Sequence, residues 1–341
     1  LTVVMVVVAG VITWDLTHQS IPAGGVDAPV GVAAADGWLI TLDEKDDGNL
    51  LLVHDLSNLE YNLEVVQPIM DTNSVYDIRG DYLLMANMST MYLVNLNNPG
   101  IIVETWNVSE PTQVEFISDD KFAVVSQGTI SYWSFNGQSV DGPEIPENEK
   151  IILFESVGGQ YAFVFSGSSD TIQLGFEDST GLISVNLNAS AGEDEEKYLE
   201  NLGLNVDIAN ATITDISIYD DLIAATVDIN ATSRLVLVNI TSGESSLIHD
   251  PKFAAYDPHM GYGLLMFSAY QNYDPANASA KYTDREIYIY DLKSNLTKPL
   301  TADELDQWAP LVLEEHYVYQ QESESGAVSY THLRAHETSA N

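Results

Sequence analysis

From residue 34 onward the chain repeats one local pattern: an apolar residue, three turn residues, then a run of strand formers. It reads Ala34-ADG-Trp38, Ile78-RGD-Tyr82, Ile117-SDD-Lys121 and Val157-GGQ-Tyr161, and continues as Ile218-YDD-Leu222, Met260-GYG-Leu264 and Val312-LEE-His316. Turns rich in Gly and Asp at this length predict tight hairpins. The runs after them, among them WLITL, YLLMA, FAVV, YAFVF, LIAAT and LLMF, predict buried strands. A second pattern closes each unit, a strand ending in a small polar residue followed by an apolar one. It appears at Asp55-Leu56, Asn95-Leu96, Ser134-Phe135, Asn186-Leu187, Asn239-Ile240 and Asp291-Leu292, at spacings of 40, 39, 52, 53 and 52 residues. The two patterns alternate strictly.

Units of 39–61 residues that each offer three or four short strands cannot bury both faces alone and must stack around an axis. A pair of β-sandwiches or another β-solenoid accounts less well for two alternating markers. The expected fold is all-β: a β-propeller of seven or eight four-stranded blades, occupying residues 26–326. Six complete units and the opening of a seventh precede residue 327, so the last blade is expected to be truncated. One stretch departs from the pattern. SAGEDEEKYLENLG at 190–203 has capping-box spacing at Ser190 and Glu193 and ends on Gly203, which predicts one short exposed helix inserted between the fourth and fifth units. Residues 1–14 (LTVVMVVVAGVITW) carry no charge. They fall short of the about 20 residues that span a bilayer, and read as part of a transmembrane signal anchor or as a buried Val-rich strand. Residues 15–25 read as a linker.

The stretches DREIYIYDLKSNLTKPLT at 284–301 and QWAPLVLEEHYVYQ at 307–320, with AYDP 52 residues before the matching QWAP, resemble the blade-closing and blade-opening segments of TolB-type, WD-repeat-like propellers. The resemblance is best over residues 250–320 and implies a fold; that family includes binding modules and enzyme domains. At the other extreme, VSYTHLRAHET at 328–338 resembles the translation of a transposase-type sequencing adapter. Residues 327–341 are therefore expected to be adapter-derived, with the natural frame continuing past Gly326.

Composition adds a setting. With 51 Asp and Glu against 12 Lys and Arg, the formal charge is −39, while 45% of residues are apolar, enough for a packed core. Such a field repels phosphate backbones and anionic membrane surfaces, so no nucleic-acid partner is expected, and membrane contact only through the N-terminal anchor. With no Cys there is no disulfide framework, thiolate metal site or Cys nucleophile. Acidity with few Lys suits a saline medium, where salt screens the repulsion, as on an archaeal-type cell surface. N-x-S/T sequons at Asn87, Asn107, Asn188, Asn210, Asn230, Asn239, Asn277 and Asn295 exceed the roughly three expected by chance and suggest a glycosylated extracellular surface.

Candidate chemistry is sparse. No cofactor is expected except calcium, for which the best loop is DEKDDGN at 43–49, with Asp43, Asp46 and Asp47 as ligands. Lys45 and His54 break the EF-hand pattern there, and a hairpin turn explains the loop as well. Asp303, Glu304 and Asp306 form a similar cluster. There is no G-x-S-x-G, H-E-x-x-H, P-loop or G-x-G-x-x-G, and His18, His54, His249, His259 and His316 lack metal-ligand spacing. No catalytic residue is assigned. The leading expectation is a cell-surface, non-catalytic binding or scaffold module that takes a protein, peptide or glycan on a propeller face. The alternative is the substrate-gating propeller of a prolyl-oligopeptidase-like serine peptidase whose catalytic domain, expected after the propeller, is missing here. A sugar-processing propeller with two facing carboxylates is a third reading.

Overall fold

A computed structural model of the chain describes residues 19–21, 32–35, 37–43, 50–56, 62–64, 74–98, 101–142, 145–147, 149–166, 171–176, 182–186, 212–229, 232–248, 254–270, 284–314, 316–322 and 328–334. Among them are seven four-stranded antiparallel sheets and no helix. The first strands of successive sheets contact one another and are the inner strands of a β-propeller. They are Val32–Ala35, Val75–Arg79, Pro111–Phe116, Ile151–Val157, Thr212–Tyr219, Ala254–Gly261 and Gln307–Val312, here blades 1 to 7. The segment read as a helix, 190–203, lies outside the described residues, as do residues 1–14; no described helix is long and apolar enough to cross a membrane.

The two sequence patterns meet in space. The first is the hairpin between inner and second strands. In blade 4, Val157 pairs with Gln160, so Gly158 and Gly159 alone make the turn, both at positive φ (59° and 81°), as a type I′ hairpin requires. The second pattern docks onto that turn. The N–H of Leu56, Leu96, Phe135, Ile240 and Leu292 donates to the carbonyl of Gly37, Asp81, Asp120, Asp221 and Gly263, at 2.9, 2.7, 3.1, 2.7 and 3.1 Å. The polar residue before it caps the next turn: Asp291 Oδ1 accepts from the N–H of Lys293 and Ser294 (2.9 and 2.8 Å), and Asn239 Oδ1 from that of Ser242 (2.7 Å). A short polar side chain followed by an apolar anchor is thus what the third-strand end needs.

Each blade interface has its own apolar core. Ile40 and Val53 of blade 1 pack on Leu83 and Met85 of blade 2, while Leu84 and Ala86, on the other face of the same strand, pack on Val114 and Phe122 of blade 3. Alternation along one strand supplies both interfaces. The clusters continue around the ring through blades 4, 5 and 6 to blade 7. The last joins Leu313 and Val318 of blade 7 to Leu39 and Leu56 of blade 1, and closes it.

The seventh sheet has four strands where the sequence pattern stops after two. Gln307–Val312 and His316–Glu322 are followed by Val328–Arg334, and Gln19–Ile21 pairs outside it, with Ser20 opposite Thr331. Residues 15–25, read as a linker, therefore contribute a strand. The open edge of His316–Glu322 selects for extended backbone rather than for particular side chains, and VSYTHLR is rich in β-formers.

Phe122 stands at the centre of the blade 2–3 core, ringed by Trp106, Phe116, Trp133 and Phe135 at centroid distances of 5.3, 6.5, 6.4 and 6.2 Å. Replacing it by Ala is expected to cost about 3–5 kcal/mol in denaturant unfolding; a loss below about 1 kcal/mol would contradict this packing.

Candidate functional site

The inner strands surround a central cavity of about 1040 Å³. Its lining runs from Ser74 along blade 2 to the inner hairpin turns, where Gly80, Asp119, Gly158 and Tyr262 come from blades 2, 3, 4 and 6. These turn residues are exposed, Tyr262 by 52%, so the mouth lies on the hairpin face. Arg79 and Asp119 form an ion pair there at 3.0 Å.

The two walls differ chemically. Blades 2, 3 and 4 contribute Asp77, Glu115 and Glu155; blades 6 and 7 contribute His259, Met260, Leu311, Val312 and Leu313. The three acids occupy equivalent heights, since Asp77, Glu115 and Glu155 pair with Leu84, Ala123 and Ala162, each two residues into the second strand. Asp215 pairs with Thr226, further along its second strand, and Asp257 sits in a bulge between the partners Ser268 and Met266. That upper pair is partly neutralised. Arg285 reaches Asp257 at 2.8 Å and lies over the rings of Tyr256 and Tyr270 at 4.7 and 5.7 Å.

Many of these polar groups also stitch blade to blade. Asp77 Oδ2 accepts the Phe116 N–H at 2.5 Å, and the Ser156 hydroxyl donates to the Phe116 carbonyl at 2.6 Å. The Ser217 hydroxyl donates to Glu155 Oε1 at 3.0 Å and itself accepts the Met260 N–H at 2.9 Å. Asp257 Oδ2 accepts the Ala309 N–H at 3.1 Å, and His259 Nδ1 the Val312 N–H at 3.1 Å. Inner-strand N–H groups that have no further strand to pair with thus find side-chain acceptors in the preceding blade.

Enclosure and mutual repulsion raise the carboxyl pKa values. Burial, then the Glu155 and Asp77 charges, hold Glu115 well above the usual carboxylate range. Glu155 is pushed up to about 8 by burial and then by Asp215, and Asp215 to about 7 by burial and then by Asp257. Burial alone lowers His259 to about 4, which keeps it a neutral acceptor for the Val312 N–H.

The side chains of Asp43, Asp46 and Asp47 lie outside the described residues. Asp303 Oδ1 accepts the Leu305 N–H and Gln307 Nε2 at 2.8 and 2.7 Å, and Asp306 Oδ1 the Arg285 N–H at 2.6 Å, so both serve local structure. No group of three or more His, Asp or Glu among the described residues is placed to hold a metal ion. His54 pairs with the Thr41 hydroxyl at 2.8 Å in a buried contact, and His316 is buried. Of the sequons, Asn87, Asn107, Asn239 and Asn295 are described; Asn188, Asn210, Asn230 and Asn277 lie outside. The channel acids escaped sequence reading, although each inner strand of blades 2 to 6 carries one shortly before its hairpin. Their offset from the hairpin residue drifts, from Asp77 next to Ile78 to Asp257 three before Met260, where the strand bulges between the two.

No family model and no curated protein matches this chain. Solved structures do. The chain is similar to the β-propeller domain of the Trilobed protease from Pyrococcus furiosus, at 10% identity over 91% of this chain and 96% of that one, with a TM-score of 0.59. It is similar to the Cps50 (Swd1) β-propeller domain of Myceliophteria thermophila, at 11% identity over 92% and 99%, with a TM-score of 0.56. It is also similar to a prolyl endopeptidase, at 11% identity over 91% of this chain and 50% of that one, with a TM-score of 0.58. At such identities the likeness establishes the fold class, a β-propeller, and nothing of the activity.

The raised Glu155 has a defined consequence for stability. A folded-state pKa above the unfolded one favours folding while the group is protonated, and that contribution is lost as pH rises from about 4.5 through about 8. Glu155→Gln cannot ionise. Its melting temperature relative to the unsubstituted chain is expected to be higher at pH 9 than at pH 5; a difference independent of pH would contradict the enclosed carboxylate.

Proposed function

We propose that this chain is the ligand-binding propeller of a secreted or membrane-anchored cell-surface protein, and that its cavity takes a cation carried on an apolar stem. An amine or guanidinium on a peptide side chain has this chemistry. The observation that carries the reading is the two-sided cavity: Asp77, Glu115 and Glu155 on one wall, Met260, Leu311 and Val312 on the other. A cation there relieves carboxylate repulsion while its stem displaces water from the apolar wall. The exposed Tyr262 at the mouth offers a further aromatic surface.

The charge of −39 supports a saline setting. The sequons and the uncharged residues 1–14 support placement outside the cell. The alternative, a gate for a serine peptidase, draws on the likeness to prolyl endopeptidase, half of whose chain this one covers. In either case VSYTHLRAHET is read as adapter-derived, and genomic sequence across codon 326 tests that. A frame continuing into a G-x-S-x-G strand–turn–helix favours the gate, and a stop soon after the last blade favours the binder.

Thermal-shift titration with hexylammonium and with hexanol tests the ligand class. Hexylammonium is expected to raise the melting temperature and hexanol to do so weakly. The double substitution Glu115→Gln/Glu155→Gln is expected to weaken hexylammonium binding by about 10-fold or more, the scale of one charge-assisted contact. Equal stabilisation by amine and alcohol, or unchanged amine binding in a folded double variant, would overturn the reading.

A further inference from the structure

The strand order divides the sequons by face. Two kinds of connection end opposite the cavity mouth: the turn from second to third strand, and the passage from an outer strand to the next inner strand. Asn87 lies in the first kind in blade 2. Asn107 ends the outer strand Ile102–Asn107 of that blade, paired with Thr90. The two sequons, Asn87-Met88-Ser89 and Asn107-Val108-Ser109, lie side by side. The Val108 N–H donates to the Ser89 carbonyl at 3.0 Å and the Glu110 N–H to the Met88 carbonyl at 2.8 Å.

Their side chains are free where a sugar attaches. Asn107 is exposed. Asn87 Oδ1 accepts the N–H of Ser89 and Thr90 at 3.1 and 2.9 Å, while its amide nitrogen has no hydrogen-bond partner among the described residues. Next to them is apolar surface that needs cover. Met88, between Asn87 and Ser89, is exposed there, whereas Ile101, Ile102 and Val103 are exposed at the mouth-side end of the same outer strand.

Asn239 and Asn295 lie on the mouth side, in turns from third to outer strand, and each is Asn for a structural reason. Asn239 Nδ2 donates to Asp221 Oδ2 at 2.8 Å, and its Oδ1 caps the turn as those of Asn95 and Asp291 do in their blades. Asn295 holds a positive φ of 57° and accepts the Tyr290 hydroxyl at 2.9 Å. The other four sequons lie outside the described residues. In chain order Asn188 follows the outer strand Ile183–Asn186 and Asn210 precedes the inner strand Thr212–Tyr219. Asn230 and Asn277 fall between the second and third strands of blades 5 and 6. All four are in the two kinds of connection that hold Asn87 and Asn107.

We propose that the N-linked sugars of this protein are confined to the face opposite the cavity mouth, with Asn87 and Asn107 as occupied sites. The hairpin face is then left bare for the ligand. This rests on the cell-surface reading above. Sugars on one face hold that face hydrated and cover Met88, while the acid-lined mouth stays accessible.

The test is to secrete the full chain from an N-glycosylating host, release the glycans with an amidase in heavy-oxygen water, and map the labelled Asp by peptide mass spectrometry. Labelling is expected in most Asn87 and Asn107 peptides and in few Asn239 or Asn295 peptides. Sequon chemistry alone favours the reverse, because the latter two carry Thr and the former two Ser. Hexylammonium affinity is expected to be the same before and after deglycosylation. Asn239 and Asn295 labelled as fully as Asn87 and Asn107 would overturn the sidedness and leave the surface reading standing. No labelling at any sequon in secreted chain would overturn both.

Discussion

A four-stranded blade has two apolar faces and no way to bury both, and the rest of the molecule follows from that constraint. Alternate residues of each second strand point to opposite neighbours, as Leu83 and Leu84 do, so every blade is the lid of the one before and the floor of the one after. Such a stack is satisfied only when its ends meet. They meet where Leu313 and Val318 pack on Leu39 and Leu56, and a second time where Gln19–Ile21 pairs with Val328–Arg334. Among the described side chains, the hydrophobic closure rests on Leu39, Leu56, Leu313 and Val318. The strand closure depends on the adapter-like residues through the backbone.

Closing the ring creates the opposite problem at its centre. Inner strands converge on a channel where one edge of each has no strand partner, and the chain meets this with side-chain acceptors aimed at the next blade. Asp77 to Phe116, Ser217 to Met260 and His259 to Val312 are the same solution with different chemistry. Carboxylates are good acceptors but repel one another in an enclosed space, hence the raised Glu115, Glu155 and Asp215. At the upper level Arg285 pairs with Asp257, while Asp215 stays raised by burial and the Asp257 charge. At the lower level burial and carboxylate repulsion dominate Glu115 and Glu155, and that excess is the chemical opportunity the cavity offers.

Much of the architecture was readable because it is repeated. The hairpin and third-strand markers recur in nearly every blade, since the backbone bond joining them, such as Leu96 to Asp81, needs the same residue types each time. The closing strand was not readable, because three residues, QSI, carry no period. The channel acids were present in the sequence but out of step. The acid falls from one to three residues before the hairpin, so a fixed-offset comparison dissolves a ring that the fold assembles. Asn239 shows the converse, a glycosylation motif produced by a turn that wants Asn.

Sidedness follows from the same strand order that builds the ring. The inner hairpin turns and the third-to-outer turns collect on the mouth side with the acids just inside, and the other two kinds of connection collect behind. The most direct measurement of this account is a crystal structure of the chain with hexylammonium bound. The account predicts a closed seven-bladed ring with the ammonium between Glu115 and Glu155 and the alkyl stem against Met260 and Val312. An open ring, or an ammonium bound away from these carboxylates, would contradict it.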